Sequence, residues 1–347
     1  MRYESFMNQP PVFLISLDFE LHWGRFDKWP LDPTTKEGKF YQDYFSNTRK
    51  VIPQILQAMQ HHGVHATWAT VGFLFHKSRE ELTSNYPTLL PTFTNQQMSA
   101  YHFIDTTGIG KDESDDPFHF GASLIHQINQ TTGMEVGSQT HSHYYACAPG
   151  QTADQFRADL KAACAVAKAR GINIVSIVMP KNEVNSEYLP ILKENGILAV
   201  RVNPDVWYWD IPVHKKVTTW NRLCRTADCY FPIGKRKSFP ISSIRQSPSG
   251  PWLIPASRFL RPHNAQFTIL NRIRMRRILN EMNVAARNGE VYHLWWHPHN
   301  FGAHPVESMR ALDQILNHFQ QLKNEYGMIS LNMAETTALI ARQSSAQ

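Results

Sequence analysis

Apolar runs alternate with segments of helical periodicity along most of this chain. Residues 12–17 (VFLISL) form a continuous apolar run, which is typical of a strand that is buried on both faces. Residues 47–60 then repeat apolar side chains at helical spacing, and Gly63 closes that segment. The same patterns predict strands over 65–71, 172–179, 197–202, 252–256, 291–296 and 328–331, and helices over 119–130, 152–170, 188–194, 267–288 and 306–325.

The order of these elements predicts the fold class. They form about seven β–α units, and each strand ends in polar or ionisable residues. This alternation favours an α/β fold of the distorted or incomplete (β/α)7 barrel type over an open doubly wound sheet, because no glycine-rich phosphate loop occurs. We predict a single barrel domain over residues 1–347, with insertions at about 87–117 and 203–250. The first insertion is a candidate lid.

Composition is consistent with one large domain. The chain has 347 residues, of which 42% are hydrophobic, so it can bury a sizeable core. It contains no apolar run of about 18 residues and no secretory signal pattern at its start. We therefore expect a cytoplasmic protein that can lie at the inner face of the membrane. The four cysteines form no Cys-x-x-Cys pair and are expected to be free thiols.

The formal net charge is +6, and much of the excess lies between residues 222 and 245. One interpretation is a solvated surface, which we prefer for a second basic group at residues 272–277. The other is attraction of a phosphorylated or lipid-pyrophosphate substrate, or of an anionic membrane surface. Nucleic acid is not expected as a partner, because no recognised binding module occurs.

Three strand ends carry the candidate chemistry. Asp18 and Glu20 follow the first strand, and side chains two residues apart at a strand end point to the same side. Residues 139–143 (QTHSH) follow a short apolar segment, and His297 and His299 flank a proline after the strand 291–296. Carboxylates and imidazoles from separate strands can supply both a base and an acid to a hydrolase, or ligands to a metal.

These stretches resemble the polysaccharide deacetylase superfamily, which has the NodB-homology or carbohydrate esterase 4-like fold. The closest resemblance is to its branch from bacterial surface-polysaccharide gene clusters. The resemblance implies a metal-dependent hydrolase, a distorted (β/α)7 barrel, and cleavage of the amide of an N-acyl sugar. The matching stretches, in the family's order, are 16–20 (SLDFE), 66–72 (ATWATVG), 135–145 (EVGSQTHSHYY), 179–182 (MPKN) and 293–302 (HLWWHPHNFG).

The resemblance also implies roles for particular residues. Asp18 matches the catalytic base, and His297 matches the histidine that protonates the departing amine or steadies the tetrahedral intermediate. Glu20 and His143 match ligands of a divalent metal, for which zinc is the expected ion.

The chain departs from the family pattern at two positions. Gln139 stands where the family has a histidine ligand, and an amide oxygen is a poor zinc ligand. His141 is out of register for that role but could reach the metal from a loop. Lys181 stands where an arginine is usual and keeps the charge without the planar fork. The residues predicted to bind or orient the substrate are Lys181, Asn182, His299, Asn300, Trp296 and Arg201.

The leading hypothesis is therefore a metal-dependent N-deacetylase that acts on a small-molecule or lipid-linked saccharide in O-antigen, lipopolysaccharide or capsule biosynthesis. Two alternatives stay open. Gln139 favours a metal-poor, glycan-binding protein that has lost catalysis. The other alternative is a hydrolase of a different amide, such as a formyl or cyclic amide.

Overall fold

The computed structural model describes residues 9–209 and 217–345. Ten strands form one sheet, and all the pairings are parallel except the one between the sixth and seventh strands. The strands are β1 (Val12–Phe19), β2 (Ala66–Thr70), β3 (Met134–Ser138), β4 (Ser176–Val178), β5 (Ala199–Val202), β6 (Arg245–Gln246), β7 (Trp252–Pro255), β8 (Arg258–Phe259), β9 (Val291–Trp296) and β10 (Ile329–Leu331).

Helices connect most of the strands and cover the outside of the sheet. Short 3-10 turns follow the carboxyl ends of β1, β2, β4 and β9. The α-helices are α1 (Lys36–His61), α2 (Arg79–Ser84), α3 (Ala100–Thr106), α4 (Ala122–Gln130), α5 (Ala153–Lys168), α6 (Leu189–Glu194), α7 (Thr219–Ala227), α8 (Thr268–Asn288), α9 (Pro305–Tyr326) and α10 (Met333–Ser345).

The sheet curls into a ring of seven strand positions. Its order is β6-β7-β5-β4-β3-β2-β1-β9-β8, and β10 pairs with β1. The segment 252–260 bridges the two sides, since β7 pairs with β5 while the Ser257 and Leu260 amides donate to the His293 and Trp295 carbonyls of β9. This architecture confirms the predicted distorted (β/α)7 barrel.

The alternation of side chains along β1 explains how the barrel positions its polar groups. All eight residues of β1 are buried. Phe13, Ile15, Leu17 and Phe19 belong to the main hydrophobic core, which also contains helix residues. The residues between them point to the other face of the strand. That face is apolar at Val12 and Leu14 and becomes polar toward the carboxyl end, at Ser16 and Asp18.

Two expectations from the sequence need correction. Helix α1 begins at Lys36, well before the helical periodicity of residues 47–60, because Thr35 caps it by accepting a hydrogen bond from the Gly38 amide at 2.9 Å. The basic group 272–277 is not entirely solvated. Arg274 is buried and donates to the Pro262 carbonyl, and Arg277 pairs with Asp228.

The two predicted insertions contain short elements. Residues 87–117 include α3 and one 3-10 turn, and the described part of 203–250 includes α7 and a small cluster of Val206, Tyr208 and Cys224. One domain with two insertions stays a prediction. The four cysteines are free, and none of the helices described is long and apolar enough to cross a membrane.

Candidate active site

Glu20 lies at the centre of a buried polar cluster where β1, β3 and β9 end. Its Oε1 atom accepts a hydrogen bond from Gln139 Nε2 at 2.5 Å and lies 3.3 Å from His143 Nε2. The same oxygen lies 3.6 Å from His297 Nε2. The parallel strands therefore bring all three of the predicted strand ends to one place, as expected for the carboxyl edge of a barrel.

Asp18 is held by a fully buried arginine. Arg201 comes from the end of β5, and its guanidinium donates to Asp18 Oδ1 at 2.6 Å and to Oδ2 at 2.8 Å. The remaining donors of Arg201 reach Asn182 Oδ1 and Ser16 Oγ. Ser16 in turn donates to His293 Nε2 at 2.8 Å, because His293 Nδ1 is engaged with the Pro255 carbonyl. This network fixes the Asp18 carboxylate in one orientation.

His297 lies between the two carboxylates. Its Nε2 atom is 3.6 Å from Asp18 Oδ2 and 3.6 Å from Glu20 Oε1. The side chain of His297 retains 17% of its exposure, whereas those of Asp18, Glu20 and His143 retain 4% each. Among these side chains, His297 is thus the one most open to a bound molecule.

His299 lies behind His297, with the two ring centroids 4.8 Å apart. Its ring is enclosed by the aromatic rings of Trp29, Tyr44 and Phe45. His299 is 2% exposed and, unlike His297, does not line the cavity beside the cluster, so its predicted role as a substrate contact is wrong.

The cluster has the donors that a divalent metal requires. Glu20, His297 and His299 each place one ligand atom within 4.8 Å of the other two, and His143 Nε2 lies 3.3 Å from Glu20 Oε1. The Nδ1 atoms of all three histidines are buried without a partner. One carboxylate and several imidazoles are a ligand set that zinc uses in enzymes. The residues present therefore fit a divalent cation.

Burial and nearby charges shift the pKa of two candidate ligands in the cluster. Burial opposes the ionisation of Glu20, but the nearby His297 and His143 outweigh it and hold the pKa of that carboxyl well below its usual range. Burial, followed by the proximity of His297, lowers the pKa of His299 well below its usual range. An ionised carboxylate and a neutral imidazole are the forms that coordinate metals.

Gln139 and His141 need correction as metal ligands. A carboxylate only accepts hydrogen bonds, so Gln139 turns its NH2 group toward Glu20 and leaves its own oxygen without a partner. The ring of His141 points elsewhere: Nε2 lies 3.2 Å from His76 Nε2, and Nδ1 lies 3.2 Å from the Tyr101 hydroxyl. His141 therefore belongs to a separate buried chain of hydrogen bonds.

Strained backbone surrounds the cluster. In the described part of the chain, all non-glycine residues with positive φ lie in the loops after β1, β3 and β4. Such conformations persist only where the surrounding structure enforces them, and they are frequent at functional sites. The residues are Leu21, Thr140, His143, Lys181 and Asn182, with φ between 46° and 64°.

Asp159, on α5, holds the loop that carries His143. Its carboxylate accepts hydrogen bonds from the His141 amide at 2.7 Å, the Ser142 amide at 3.2 Å and the Ser142 hydroxyl at 2.5 Å. Asp159 is not recognisable as a site residue from the sequence, because on the helix it looks like an ordinary polar residue. A polar residue on the buried face of a predicted helix was the available signal.

Asp159 should make stability depend on pH. Burial raises its pKa to about 6, despite the hydrogen bonds that favour its ionised form. The folded state then binds the proton more tightly than the unfolded state. The resulting stabilisation is complete below about pH 4 and is lost as the pH rises through about 6. We expect the free energy of unfolding of wild type, relative to Asp159→Asn, to fall by about 1.4 kcal/mol per pH unit across that window.

Urea unfolding of both proteins between pH 4.5 and 7.5 measures this difference. Taking the difference cancels the titration of groups that the two proteins share. A difference that is constant with pH would show that Asp159 titrates in its ordinary range.

A cavity of about 190 Å³ opens onto the cluster. Trp295 lines this cavity, whereas Trp296 is fully buried and stacks on Phe301. The prediction that Trp296 binds the sugar is therefore wrong. Consecutive residues of a strand point to opposite faces, so only one of the two tryptophans can face the barrel interior. The lining residues are Asp18, Glu20, Gly24, Arg25, Asp27, Lys28, His143, Tyr145, Lys181, Asn182, Trp209, Trp295 and His297.

The other predicted substrate residues divide into two groups. Lys181 and Asn182 line the cavity, and Lys181 Nζ lies 3.9 Å above the ring of Tyr145. Arg201 and Asn300 do not line it: Arg201 is fully buried against Asp18, and Asn300 is 7% exposed. The prediction that Arg201 and Asn300 contact the substrate is therefore wrong.

Gly24 is a site residue that the sequence analysis missed. A Cβ atom at this position would lie 1.7 Å from Glu20 Oε2, so any side chain would displace the carboxylate. The only signal in the sequence is a glycine four residues after a candidate ligand.

The central part of this chain is similar to a known protein family. Residues 69–200 match the polysaccharide deacetylase family model. The matched residues include Gln139, His143 and Lys181, whereas Asp18, Glu20 and His297 lie outside them. The match confirms the predicted enzyme class, a hydrolase of the carbohydrate deacetylase type. A comparison with curated proteins finds no match.

Solved structures share the fold of this chain. A Mycobacterium smegmatis protein described as a polysaccharide deacetylase is 13% identical, with a TM-score of 0.60, covering 97% of this chain and 92% of its own. A Pseudomonas aeruginosa PAO1 protein with the same description is 11% identical, with a TM-score of 0.55, covering 94% and 89%. The 4-alpha-glucanotransferase of Thermococcus litoralis is 10% identical, with a TM-score of 0.51, covering 95% and 40%. At these identities the likeness concerns the fold alone.

Proposed function

We propose that this protein is a metal-dependent N-deacetylase that hydrolyses the amide of an N-acylated, typically N-acetylated, sugar. The observation that carries the proposal is the cluster of two carboxylates and three imidazoles at the end of the barrel, beside a cavity. The clustered residues are Asp18, Glu20, His143, His297 and His299.

The residues divide the chemistry between them. Asp18 is the base, since Arg201 occupies one edge of its carboxylate and leaves lone pairs free to take a proton from water. His297 lies 3.6 Å from Asp18 and is the more exposed imidazole, so it is placed to protonate the departing amine. The side chains of Lys181 and Trp295 line the cavity and contact the sugar.

Glu20 and His143 are the residues that would hold the cation, with zinc as the expected ion, and His299, whose ligand atom lies within 4.8 Å of that of Glu20, would be a third. Such an ion would act as a Lewis acid toward the acyl carbonyl. Gln139 then has a supporting role, because its hydrogen bond fixes the Glu20 carboxylate in the direction of the histidines.

A second candidate is a glycan-binding protein without a metal. Gln139 favours it, because its NH2 group already occupies the Glu20 oxygen that is nearest to the histidines. In that case the same cavity would bind a sugar without hydrolysis.

Metal analysis combined with an acyl-release assay tests the proposal. Purified protein should contain about one equivalent of a divalent metal, or take it up from added zinc, and should release acetate from a panel of N-acetylated saccharides. Chelation should remove this activity and zinc should restore it. Protein that binds saccharides but binds no metal and releases no acyl group would favour the second candidate. Release of formate, or ring opening of a cyclic amide, would identify the other predicted amide substrates.

We further propose that the substrate belongs to O-antigen or capsule biosynthesis, in the form of a small or lipid-linked saccharide processed in the cytoplasm. The basic segment between residues 222 and 245 supports this proposal, since such substrates carry phosphate.

A further inference from the structure

A second cavity, of about 380 Å³, adjoins the one beside the catalytic cluster. Four residues line both cavities, namely Arg25, Trp209, Trp295 and His297. A molecule bound at His297 can therefore extend into the second cavity without leaving the protein surface. We call this second space the arginine cavity, because Arg25, Arg222, Arg225, Arg258 and Arg261 line it.

Four of these arginines lack an acidic partner among the residues that the structure describes. Within residues 9–209 and 217–345, no carboxylate forms an ion pair with Arg25, Arg222, Arg225 or Arg261. Arg261 donates to the Thr226 hydroxyl at 3.3 Å, and its Nε atom is buried without a partner. Such an unpaired buried donor is costly and calls for an acceptor.

The aromatic walls leave the cations available. The guanidinium of Arg225 lies 4.2 Å above the ring of Trp209, and that of Arg25 lies 5.2 Å above Trp29. Stacking on an aromatic face orients an arginine while its edge stays free to bind an oxyanion.

The one carboxylate that lines the arginine cavity does not neutralise these four unpaired arginines. Asp228 lies 3.0 Å from Arg277, 3.6 Å from Lys237 and 3.7 Å from Arg258. Arg258 also forms a two-point ion pair with Glu281. Asp228 is thus fully occupied, and the cavity retains an excess of positive charge.

Two of the cations repel each other. Arg222 and Arg225 lie one turn apart on α7, where like charges are destabilising. Burial, and then the charge of Arg222, lower the pKa of Arg225. An anion placed between the arginines would relieve this repulsion.

We propose that the arginine cavity binds a phosphate or diphosphate group that the substrate carries beside its N-acylated sugar. The inference rests on the proposed function, because it takes the sugar to lie at His297. Several arginines can offer paired donors to phosphate oxygens, and the aromatic walls can pack against a sugar or base attached to that group.

Binding of inorganic pyrophosphate tests the cavity without reference to activity. Isothermal titration calorimetry measures the dissociation constant of pyrophosphate. This constant should be at least about tenfold higher for Arg222→Gln/Arg261→Gln than for wild type, because each lost charged hydrogen bond is worth about a factor of ten. The matched control is Arg272→Gln/Arg276→Gln, which removes two exposed charges on α8 outside the cavity. Its dissociation constant should stay within about twofold of wild type. Equal weakening in both variants, or no binding to wild type at millimolar pyrophosphate, overturns the proposal.

Hydrolysis of three substrates identifies the source of the anion. UDP-N-acetylglucosamine carries a diphosphate, an oligosaccharide of N-acetylglucosamine and glucuronate carries a carboxylate, and chitotetraose is neutral. The double variant should lose at least about tenfold in kcat/KM for the diphosphate and keep its kcat/KM for chitotetraose. A selective loss for the glucuronate substrate instead would overturn the assignment to phosphate. If none of the substrates is hydrolysed while pyrophosphate binding still depends on the two arginines, the proposed function fails and the anion site stands.

Discussion

Replacing Asp18 with asparagine should lower the deacetylation rate by about 10²–10⁴-fold, the usual contribution of a general base. An amide cannot take up the proton of the attacking water. The substitution also leaves the fully buried Arg201 without a counter-charge, which costs about 3–5 kcal/mol of stability. Turnover of a saccharide that wild type hydrolyses, measured well below the melting temperature of the variant, checks the prediction.

Glu290→Gln is the matched control for this experiment. Glu290 is a buried carboxylate that pairs with Arg236, but it precedes β9 and so lies at the opposite end of that strand from His297. Both variants remove a buried carboxylate that is paired with an arginine, which is half-exposed for Glu290 and fully buried for Asp18, whereas only Asp18→Asn removes the base. Full activity in folded Asp18→Asn would refute the mechanism. Equal losses in the two variants would attribute the effect to stability.

Replacing His297 with glutamine should separate proton transfer from metal binding. We expect the variant to retain zinc, because Glu20 and His143 remain in place and His299 still has a ligand atom within 4.8 Å of Glu20. Its kcat should fall by about 10²–10⁴-fold, and the high-pH limb of its rate profile, which reports the general acid, should disappear. Zinc content by elemental analysis and the pH dependence of kcat/KM are the two measurements.

His299→Gln is the comparison for His297→Gln. His299 is enclosed by aromatic side chains and reaches only the cluster, so its loss should weaken zinc binding first and activity as a consequence. Loss of zinc from both variants to the same degree would make His297 a ligand, and another group would then have to supply the proton.

The strand pattern was sufficient to predict the barrel, because strands that are buried on both faces are visible in the sequence as continuous apolar runs. The first half of α1 escaped that reasoning. Its aromatic residues Phe40, Tyr41 and Tyr44 pack on one another and on Trp29, and this packing replaces the usual aliphatic periodicity.

The candidate site was predictable where parity along a strand determines direction. Asp18 and Glu20 were expected on one side because they are two residues apart, and both lie in the cluster. Lys181 was expected to replace a missing arginine. The guanidinium that reaches Asp18 comes instead from Arg201, on the next strand. No local pattern reports which of two neighbouring strands extends a side chain toward a given carboxylate.

The sequence by itself determined the barrel, its strand ends and the residue types that gather there, because periodicity and strand parity are local properties of the chain. Only the tertiary structure decided which of those residues share a space. It directs His141 away toward His76 and Tyr101, turns the Gln139 amide toward Glu20, and places His299 behind His297. The physical reason is that hydrogen bonding and packing between distant segments fix side-chain orientation, and residues far apart in the sequence supply those contacts.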